Sequence, residues 1–181
     1  MNSDMERDKV ILVNESDVAL GQMAKMEAHR RGCLHRAFSI FILNANGEML
    51  IHQRASNKYH GGGLWTNACC SHPQPGDDLK ESALERLQYE MGIHCELEKV
   101  FSFVYKGEVE NGLIEHEFDH VFRGTFDGIP HFNTVEVADY QWIDINELLQ
   151  WVANSPDTFT IWFRQALPLL LDEIAFTTSL S

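Results

Sequence analysis

The feature that most constrains the fold is a β-hairpin in the first third of the chain. Residues 37–43 are a run of apolar and β-branched side chains typical of a strand, and the run ends at the turn sequence Asn-Ala-Asn-Gly, residues 44–47. Residues 49–53 then resume the apolar pattern, so the chain is expected to return antiparallel to the first strand. The fold must therefore contain a sheet, and a glycine-rich loop at residues 61–63 follows it closely.

Further strands and helices follow one another along the rest of the chain. Residues 10–13 and 18–20 are expected to pair as a second hairpin. Residues 77–91 have an apolar stripe at helical spacing, acids at the start and Gly92 just past the end, which predicts a helix. Strands are predicted at 100–105, 118–126 and 140–143. Helices are predicted from Asp144 through about Val152 and after residues 156–157, with a kink at Pro168. This mixture predicts an α/β or α+β layered fold.

Size and charge exclude several classes of partner. The 181 residues suggest one domain, residues 1–181, and the net charge of −13 argues against nucleic acid or an anionic membrane as the main partner. No segment approaches the roughly 18 apolar residues of a membrane span, and residues 1–8 have no apolar leader core. The cysteines, Cys33, Cys69, Cys70 and Cys95, do not have the spacing of a secreted disulfide framework, which favours a reducing cytoplasm.

The segment Trp-Thr-Asn-Ala-Cys-Cys-Ser-His-Pro, residues 65–73, carries the richest chemistry. Cys70 and His72 are two residues apart and can share one pocket, where a free thiol can be catalytic. The alternative is a buried, inert cysteine beside a capping histidine. This segment alone does not decide between the two interpretations.

Histidines and carboxylates elsewhere in the chain could complete a metal site. If residues 115–117 form a strand, its period of two puts the carboxylates of Glu115 and Glu117 on one face. They repel each other unless a cation or a proton lies between them, and the alternative is a solvated edge strand. Together with His29, His35 and His72 they would form a five-ligand site. Five ligands are too many for a closed tetrahedral zinc, and octahedral zinc, manganese or magnesium all remain open.

A second charged group lies on the predicted helix, where Arg86 and Glu90 are four residues apart. A surface ion pair of this kind would contribute only about 0.3–0.5 kcal/mol. The alternative is that Arg86 faces a phosphate while Glu90 helps to hold Mg²⁺, because diphosphate–Mg²⁺ sites use one or two carboxylates with the substrate oxygens. Six of the 14 basic residues lie between Lys25 and Lys58, so a local cationic cluster is compatible with the acidic chain.

Taken together, these residues resemble the type 1 isopentenyl diphosphate isomerases, a family of the Nudix superfamily. The resemblance runs from about residue 10 to residue 165. Its markers are Lys25 with His29, the segments at 35–39 and 53–56 with Lys58, Trp-Thr-Asn at 65–67, Cys-Ser-His-Pro at 70–73, Arg86 to Gly92, Tyr105, Glu115-x-Glu117, Asp-Tyr-Gln-Trp at 139–142, and Trp162.

The resemblance implies a Nudix-type mixed β-sheet sandwiched between helices, with an N-terminal β extension. It implies that the enzyme isomerises isopentenyl diphosphate to dimethylallyl diphosphate, by protonation and deprotonation through a carbocation, in isoprenoid biosynthesis. The catalytic residues it implies are Cys70 and Glu117 as an acid–base pair on opposite faces of the substrate, supported by Tyr105 and Trp162.

The resemblance also implies a ligand set. One divalent ion (zinc, manganese or magnesium) would be held by His29, His35, His72, Glu115 and Glu117. A Mg²⁺ ion would accompany the diphosphate on Glu90, and the diphosphate itself would meet Lys25, Arg54, Lys58 and Arg86. The expected partner is therefore a small prenyl diphosphate, and the expected assembly is a monomer or a weak homodimer.

Two departures from family patterns matter. The family commonly has Trp-Pro-Gly where this chain has three glycines, 61–63, and these are expected to loosen the loop. The hydrolase signature of the superfamily is also broken, because Ser82, Arg86 and Tyr89 stand at glutamate positions. A Nudix hydrolase is therefore the second interpretation. A non-catalytic metal-binding module is the third, although it leaves Cys70 and the basic cluster unexplained.

Overall fold

The computed structural model describes residues 7–179. Residues 1–6, which are most of the segment predicted to lack a leader core, and residues 180–181 lie outside the described part. The strands are β1 (Lys9–Val13), β2 (Ala19–Ala24), β3 (His35–Leu43), β4 (Met49–Arg54), β5 (Trp65–Thr66), β6 (Cys69–Ser71), β7 (Leu97–Glu108), β8 (Ile114–Thr125) and β9 (Val137–Ile143). The helices are α1 (Lys25–Arg31), α2 (Leu79–Met91), α3 (Ile145–Asn154) and α4 (Ile161–Ser179).

The strands form one mixed sheet with β3 near its centre. β3 pairs antiparallel with β4, as the hairpin predicts, and also with β6. It pairs in parallel with β8, which is itself antiparallel to β7. β1 and β2 form the N-terminal hairpin at one end of the sheet. A parallel pair needs a crossover connection, and α2 lies within the one between β3 and β8.

Helices cover both faces of the sheet, which confirms the predicted sandwich. Phe38, Ile40 and Ile42 of β3 pack in one core with Leu87 of α2. Phe41, on the opposite face, packs in a second core with residues of α3 and α4. A strand that is buried on both faces needs an apolar run rather than an alternating pattern. This requirement explains why residues 37–43 are apolar almost throughout.

Local capping signals explain where the helices begin and end. The Asp78 side chain accepts a hydrogen bond from the Glu81 N–H at the start of α2, and Gly92 ends that helix with a left-handed φ of 64°. Asp144 caps α3 as predicted. Pro168 lies inside α4, which continues to Ser179, so the proline does not end the helix.

Some elements were absent from the sequence prediction or shorter in it. The helix α1 and the two short strands β5 and β6 were not predicted, and β7 and β8 are longer than expected. The extension of β8 back to Ile114 matters most, because it brings the two glutamates into the sheet. Among residues 7–179, none of the helices combines the length and the apolar character that crossing a bilayer requires.

Candidate metal and active site

Two carboxylates project from the same face of β8. Glu115 and Glu117 are 2% and 7% exposed, whereas His116 between them donates through Nδ1 to the Gly32 carbonyl oxygen. Tyr105 lies opposite Glu117 on β7, and its hydroxyl donates to Glu117 Oε2 at 2.7 Å and lies 3.3 Å from Glu115 Oε2. The alternative of a solvated edge strand is wrong, because β8 is paired on both sides and both carboxylates are buried.

Three imidazoles surround these carboxylates. Nε2 of His72, just beyond β6, lies 2.8 Å from Glu117 Oε1, and Nε2 of His35 on β3 lies 3.5 Å from the same oxygen. Nε2 of His29 on α1 lies 3.2 Å from Glu115 Oε1. His35 and Glu117 are direct partners in the parallel β3–β8 ladder. The five side chains predicted as ligands are therefore brought together by three strands and one short helix.

The ring nitrogens of His29 and His35 are oriented as metal ligands are. Each Nδ1 lies close to a backbone carbonyl oxygen, at 2.7 Å for His29 and 2.8 Å for His35, so Nδ1 carries the proton. Each Nε2 is buried without a hydrogen-bond partner, so its lone pair faces the carboxylates. Nitrogen and oxygen donors from His29, His35, His72 and Glu117 lie within 4.8 Å of one another. This set could hold a divalent metal ion.

The charges of the cluster also suit a cation. Burial lowers the pKa of His72 to about 4, which keeps this imidazole neutral at pH 7. Burial opposes ionisation of Glu115, yet the neighbouring His29 and His60 side chains hold its pKa well below the ordinary value. Neutral imidazoles and ionised carboxylates are the protonation states that metal ligands need.

His60 also reaches the cluster, although no sequence motif assigned it a role. Its Nε2 lies 2.5 Å from Glu115 Oε1, and its ring lies edge-on to Trp162 with the centroids 5.8 Å apart. With His29 and Glu115 it forms a second group of possible donors. The only sequence signal was its position directly before the glycine loop, which says nothing about a glutamate so far along the chain.

Asp119 continues the row of carboxylates on this face of β8. Ser39 on β3 donates its hydroxyl to Asp119 Oδ2 at 2.7 Å. Burial and the nearby Glu117 raise the pKa of Asp119 well above its usual value. Ionisation of Asp119 is therefore disfavoured beside the two glutamates.

The carboxylates open onto a small cavity of about 60 Å³. Cys70, Tyr105 and Trp162 line it, together with the predicted phosphate-binding residues Lys25 and Arg54. Burial raises the pKa of the Cys70 thiol to about 12, and Arg54, whose Nη1 is 4.0 Å from Sγ, offsets this only in part. Cys70 therefore carries its proton at neutral pH.

The other predicted phosphate-binding residues form a second cluster outside the lining of this cavity. Arg86 Nη2 donates to Glu90 Oε1 at 2.6 Å and lies 3.8 Å from Glu136 Oε2, and Lys58 also contacts the Glu136 carboxylate. Arg86 and Glu90 are both buried, so the interpretation of a surface ion pair is wrong. The cluster is close enough for the charge of Glu90 to act on the Cys70 thiol. Glu136 was not predicted, because no motif connected it to these cations.

The glycine loop is held in place, which corrects the expectation that its three glycines loosen it. The Gly61 N–H donates to Glu110 Oε2 at 3.1 Å, and Gly61 has a left-handed φ of 61°. A Cβ on Gly62 would lie 2.7 Å from the Ser56 carbonyl oxygen. The glycines therefore permit a tight turn against neighbouring backbone, and this turn carries His60 into the site.

The NUDIX domain family model matches residues 34–163. Isopentenyl-diphosphate Delta-isomerase 2 of Aromatoleum aromaticum is 49% identical over 160 residues, which cover 88% of this chain and 85% of that protein. The isopentenyl-diphosphate Delta-isomerase of Burkholderia multivorans is 48% identical over 168 residues, which cover 90% and 96% of the two chains. A MutT protein of Methanosarcina mazei has a TM-score of 0.64 at 20% identity, covering 77% of this chain and 94% of that one, which supports the fold alone. The chain therefore belongs to the isopentenyl-diphosphate Delta-isomerase family, on a Nudix domain.

Proposed function

We propose that the protein converts isopentenyl diphosphate into dimethylallyl diphosphate in isoprenoid biosynthesis. The observation that carries this proposal is the pairing of two groups on one cavity. Cys70 is a buried thiol that keeps its proton, and Glu117 is a buried carboxylate whose pKa is lowered although burial and Glu115 oppose its ionisation. An allylic double-bond shift needs one proton donor and one proton acceptor.

The chemistry assigns a role to each group. The Cys70 thiol protonates the terminal alkene carbon, and the π electrons form the new C–H bond, which leaves a tertiary carbocation. The Glu117 carboxylate then takes a different proton from the neighbouring methylene, and that C–H electron pair becomes the new double bond. The Tyr105 hydroxyl, 2.7 Å from Glu117 Oε2, fixes the direction of this carboxylate. Burial keeps water, which would trap the cation, away from both groups.

The metal ligands we assign are His29, His35, His72, Glu115 and Glu117. A divalent ion held there would supply positive charge that helps to keep two adjacent carboxylates ionised and in place. Imidazole and carboxylate donors suit zinc, manganese or magnesium. The unpartnered Nε2 atoms of His29 and His35 support this assignment.

We assign the diphosphate to Lys25, Arg54, Lys58 and Arg86, with Glu90 holding its Mg²⁺. In a chain with a net charge of −13, a diphosphate needs such a local group of cations. Burial opposes ionisation of Glu90, but the positive charges of Arg86 and Lys58 outweigh it and lower the Glu90 pKa. Glu90 is therefore an anion, as a magnesium ligand must be.

A Nudix hydrolase is the second candidate, and the surroundings of α2 argue against it. Ser82 stands at a glutamate position of the hydrolase signature, and its hydroxyl accepts a hydrogen bond from Arg7 Nη2 at 2.6 Å. Arg7 is buried, and its positive charge acts on Arg86 nearby. Two guanidinium groups beside this helix disfavour a cluster of several metal ions there, which a hydrolase would need, more than the single Mg²⁺ assigned to Glu90.

Incubating the metal-loaded protein with isopentenyl diphosphate tests the proposal. We expect NMR to show dimethylallyl diphosphate and an equal loss of substrate, with no release of phosphate. The matched control is the Cys70→Ala protein prepared in the same way, which should give neither product. Rapid release of phosphate without isomer would instead support the hydrolase.

We also propose a cytoplasmic enzyme that acts on a small prenyl diphosphate, not on nucleic acid or membranes, as a monomer or weak homodimer. All four cysteines are free in the structure, which suits a reducing compartment. The excess of acidic residues supports the exclusion of nucleic acid.

Trp162→Leu is expected to lower turnover more than Trp162→Phe does. The Trp162 ring is 5% exposed and lines the cavity, and the Arg54 guanidinium carbon lies 5.2 Å from its centroid, so the ring face already accepts a cation. An aromatic face stabilises a desolvated cation by about 0.5–2 kcal/mol, or roughly two- to thirtyfold in rate. Turnover measured beside thermal unfolding separates this role from packing. If the Leu and Phe variants are both folded and equally active, Trp162 has only a packing role in the core.

A further inference from the structure

We infer that His60 is a positioning residue for the metal ligand Glu115: its Nε2–H donates to Glu115 Oε1 and holds this carboxylate in the orientation that the ion requires. The inference rests on the proposed metal-dependent function and adds a residue outside the five assigned ligands. It stands on the geometry of the two ring nitrogens and on the way the glycine loop holds the ring.

The two ring nitrogens of His60 have different surroundings. Nε2 lies 2.5 Å from Glu115 Oε1, whereas Nδ1 is buried and has no hydrogen-bond partner. A neutral imidazole carries one proton, and a proton on Nε2 satisfies the carboxylate while leaving only a lone pair on Nδ1. The other tautomer, with the proton on Nδ1, would bury an unsatisfied N–H, which costs about 1–3 kcal/mol. It would also place the Nε2 lone pair against a lone pair of Glu115 Oε1.

His29 approaches the same carboxylate oxygen with an unprotonated ring nitrogen. Its Nδ1 donates to the Lys25 carbonyl oxygen, so its Nε2, 3.2 Å from Glu115 Oε1, presents a lone pair. His29 is therefore suited to bind a metal, and His60 is suited to donate a proton to a metal ligand. Donors of this second kind orient the ligands of metal sites and raise their affinity for the ion.

The position of His60 is fixed by its surroundings. The ring is 4% exposed and lies edge-on to Trp162 at an interplanar angle of 87°. Its backbone carbonyl accepts from Arg54 Nη2 at 3.1 Å, and the next residue, Gly61, is bonded to Glu110. Little side-chain entropy remains to be lost when His60 donates to Glu115, so the loop presents a preorganised donor.

Three substitutions separate the donated proton from the bulk of the ring. The amide nitrogen of His60→Gln falls near the position of Nε2 and can still donate, whereas the shorter amide of His60→Asn ends near Nδ1. His60→Ala has no donor. We expect the Asn and Ala variants to bind metal about 10–100-fold more weakly than the wild type. The Gln variant should keep most of the wild-type affinity.

The measurement is the Mn²⁺ dissociation constant of metal-free protein, by equilibrium dialysis without substrate. The control is His94→Ala, which removes an exposed imidazole outside the site and should not change the constant. Thermal unfolding of each metal-free variant identifies those that remain folded. Wild-type affinity in the Asn variant would overturn the inference. So would a loss in the Gln variant as large as in the Ala variant, because His60 would then act as a direct ligand.

Failure of the inference about His60 can be distinguished from failure of the proposed function. If the wild type binds Mn²⁺ and the Gln, Asn and Ala variants rank as expected, the role of His60 stands even when no dimethylallyl diphosphate forms. If the wild type isomerises its substrate and all three variants bind Mn²⁺ normally, only the inference about His60 is lost.

Discussion

Cys70→Ala is expected to abolish isomerisation while leaving the fold and the metal content intact. The thiol lines the cavity, keeps its proton because burial raises its pKa to about 12, and is not among the assigned metal ligands. Removing one positioned acid typically costs about 10²–10⁴ in rate, and more when no other group can substitute. Turnover, bound metal and thermal unfolding of the purified variant check the three parts of this prediction.

Cys69→Ala is the matched control for that experiment. Adjacent residues of β6 point to opposite sides of the sheet: Cys69 is fully buried in the core with α2, whereas Cys70 faces the other core and the cavity. Cys69→Ala should therefore cost some stability but leave the rate constant nearly unchanged. An inactive Cys69 variant beside an active Cys70 variant would show that the acid has been assigned to the wrong cysteine.

Removal of the metal by a chelator is expected to eliminate activity, and a divalent ion should restore it. Without a cation, Glu115 and Glu117 remain as two buried, adjacent anions that repel each other, which disturbs the acceptor carboxylate. His35→Ala and His72→Ala should likewise lower the metal content measured by atomic emission, because each removes a nitrogen donor. Full activity in a preparation shown to contain no metal would contradict the five-ligand site.

The pH dependence of metal affinity follows from the same imidazoles, because a proton and a metal compete for one lone pair. Burial opposes protonation of His29, but Glu115 outweighs it and raises the His29 pKa above the ordinary value. Burial lowers the pKa of His72 to about 4. As the pH falls, His29 therefore gains its proton before His72 does. Affinity should start to fall near the raised pKa of His29, which metal titrations at stepped pH would show.

The parts of the fold that could be predicted from the sequence are those whose signals are local. The turn at residues 44–47 specifies the β3–β4 hairpin, and Asp144 marks the start of α3. The helix α1 was missed because seven residues give too little periodicity for a pattern to emerge. β5 and β6 are shorter still and owe their conformation to pairing with β4 and β3.

The residues of the candidate site likewise fall into those that the sequence could predict and those that it could not. The in-register carboxylates and the Cys70–His72 segment could be found because each pattern lies within a few residues. His60 and Glu136 could not, because their partners lie far away in sequence and meet them only after the loops have folded. The glycine loop shows a further limit. Three glycines indicate a flexible backbone, but the hydrogen bond from the Gly61 N–H to Glu110 holds the loop in one conformation.

The parallel register that sets His35 directly opposite Glu117 also has a consequence for the order of events during folding. These two ligands lie on strands separated in the chain by α2 and β7, so they become neighbours only when a long loop closes. Contacts of such high sequence separation form slowly, because the closure entropy is lost before pairing compensates for it. An unfolded or newly synthesised chain therefore has no assembled site with which to capture an ion. An ion bound by the proposed ligands would therefore be acquired after the sheet is complete, and it would stabilise a finished structure instead of nucleating it.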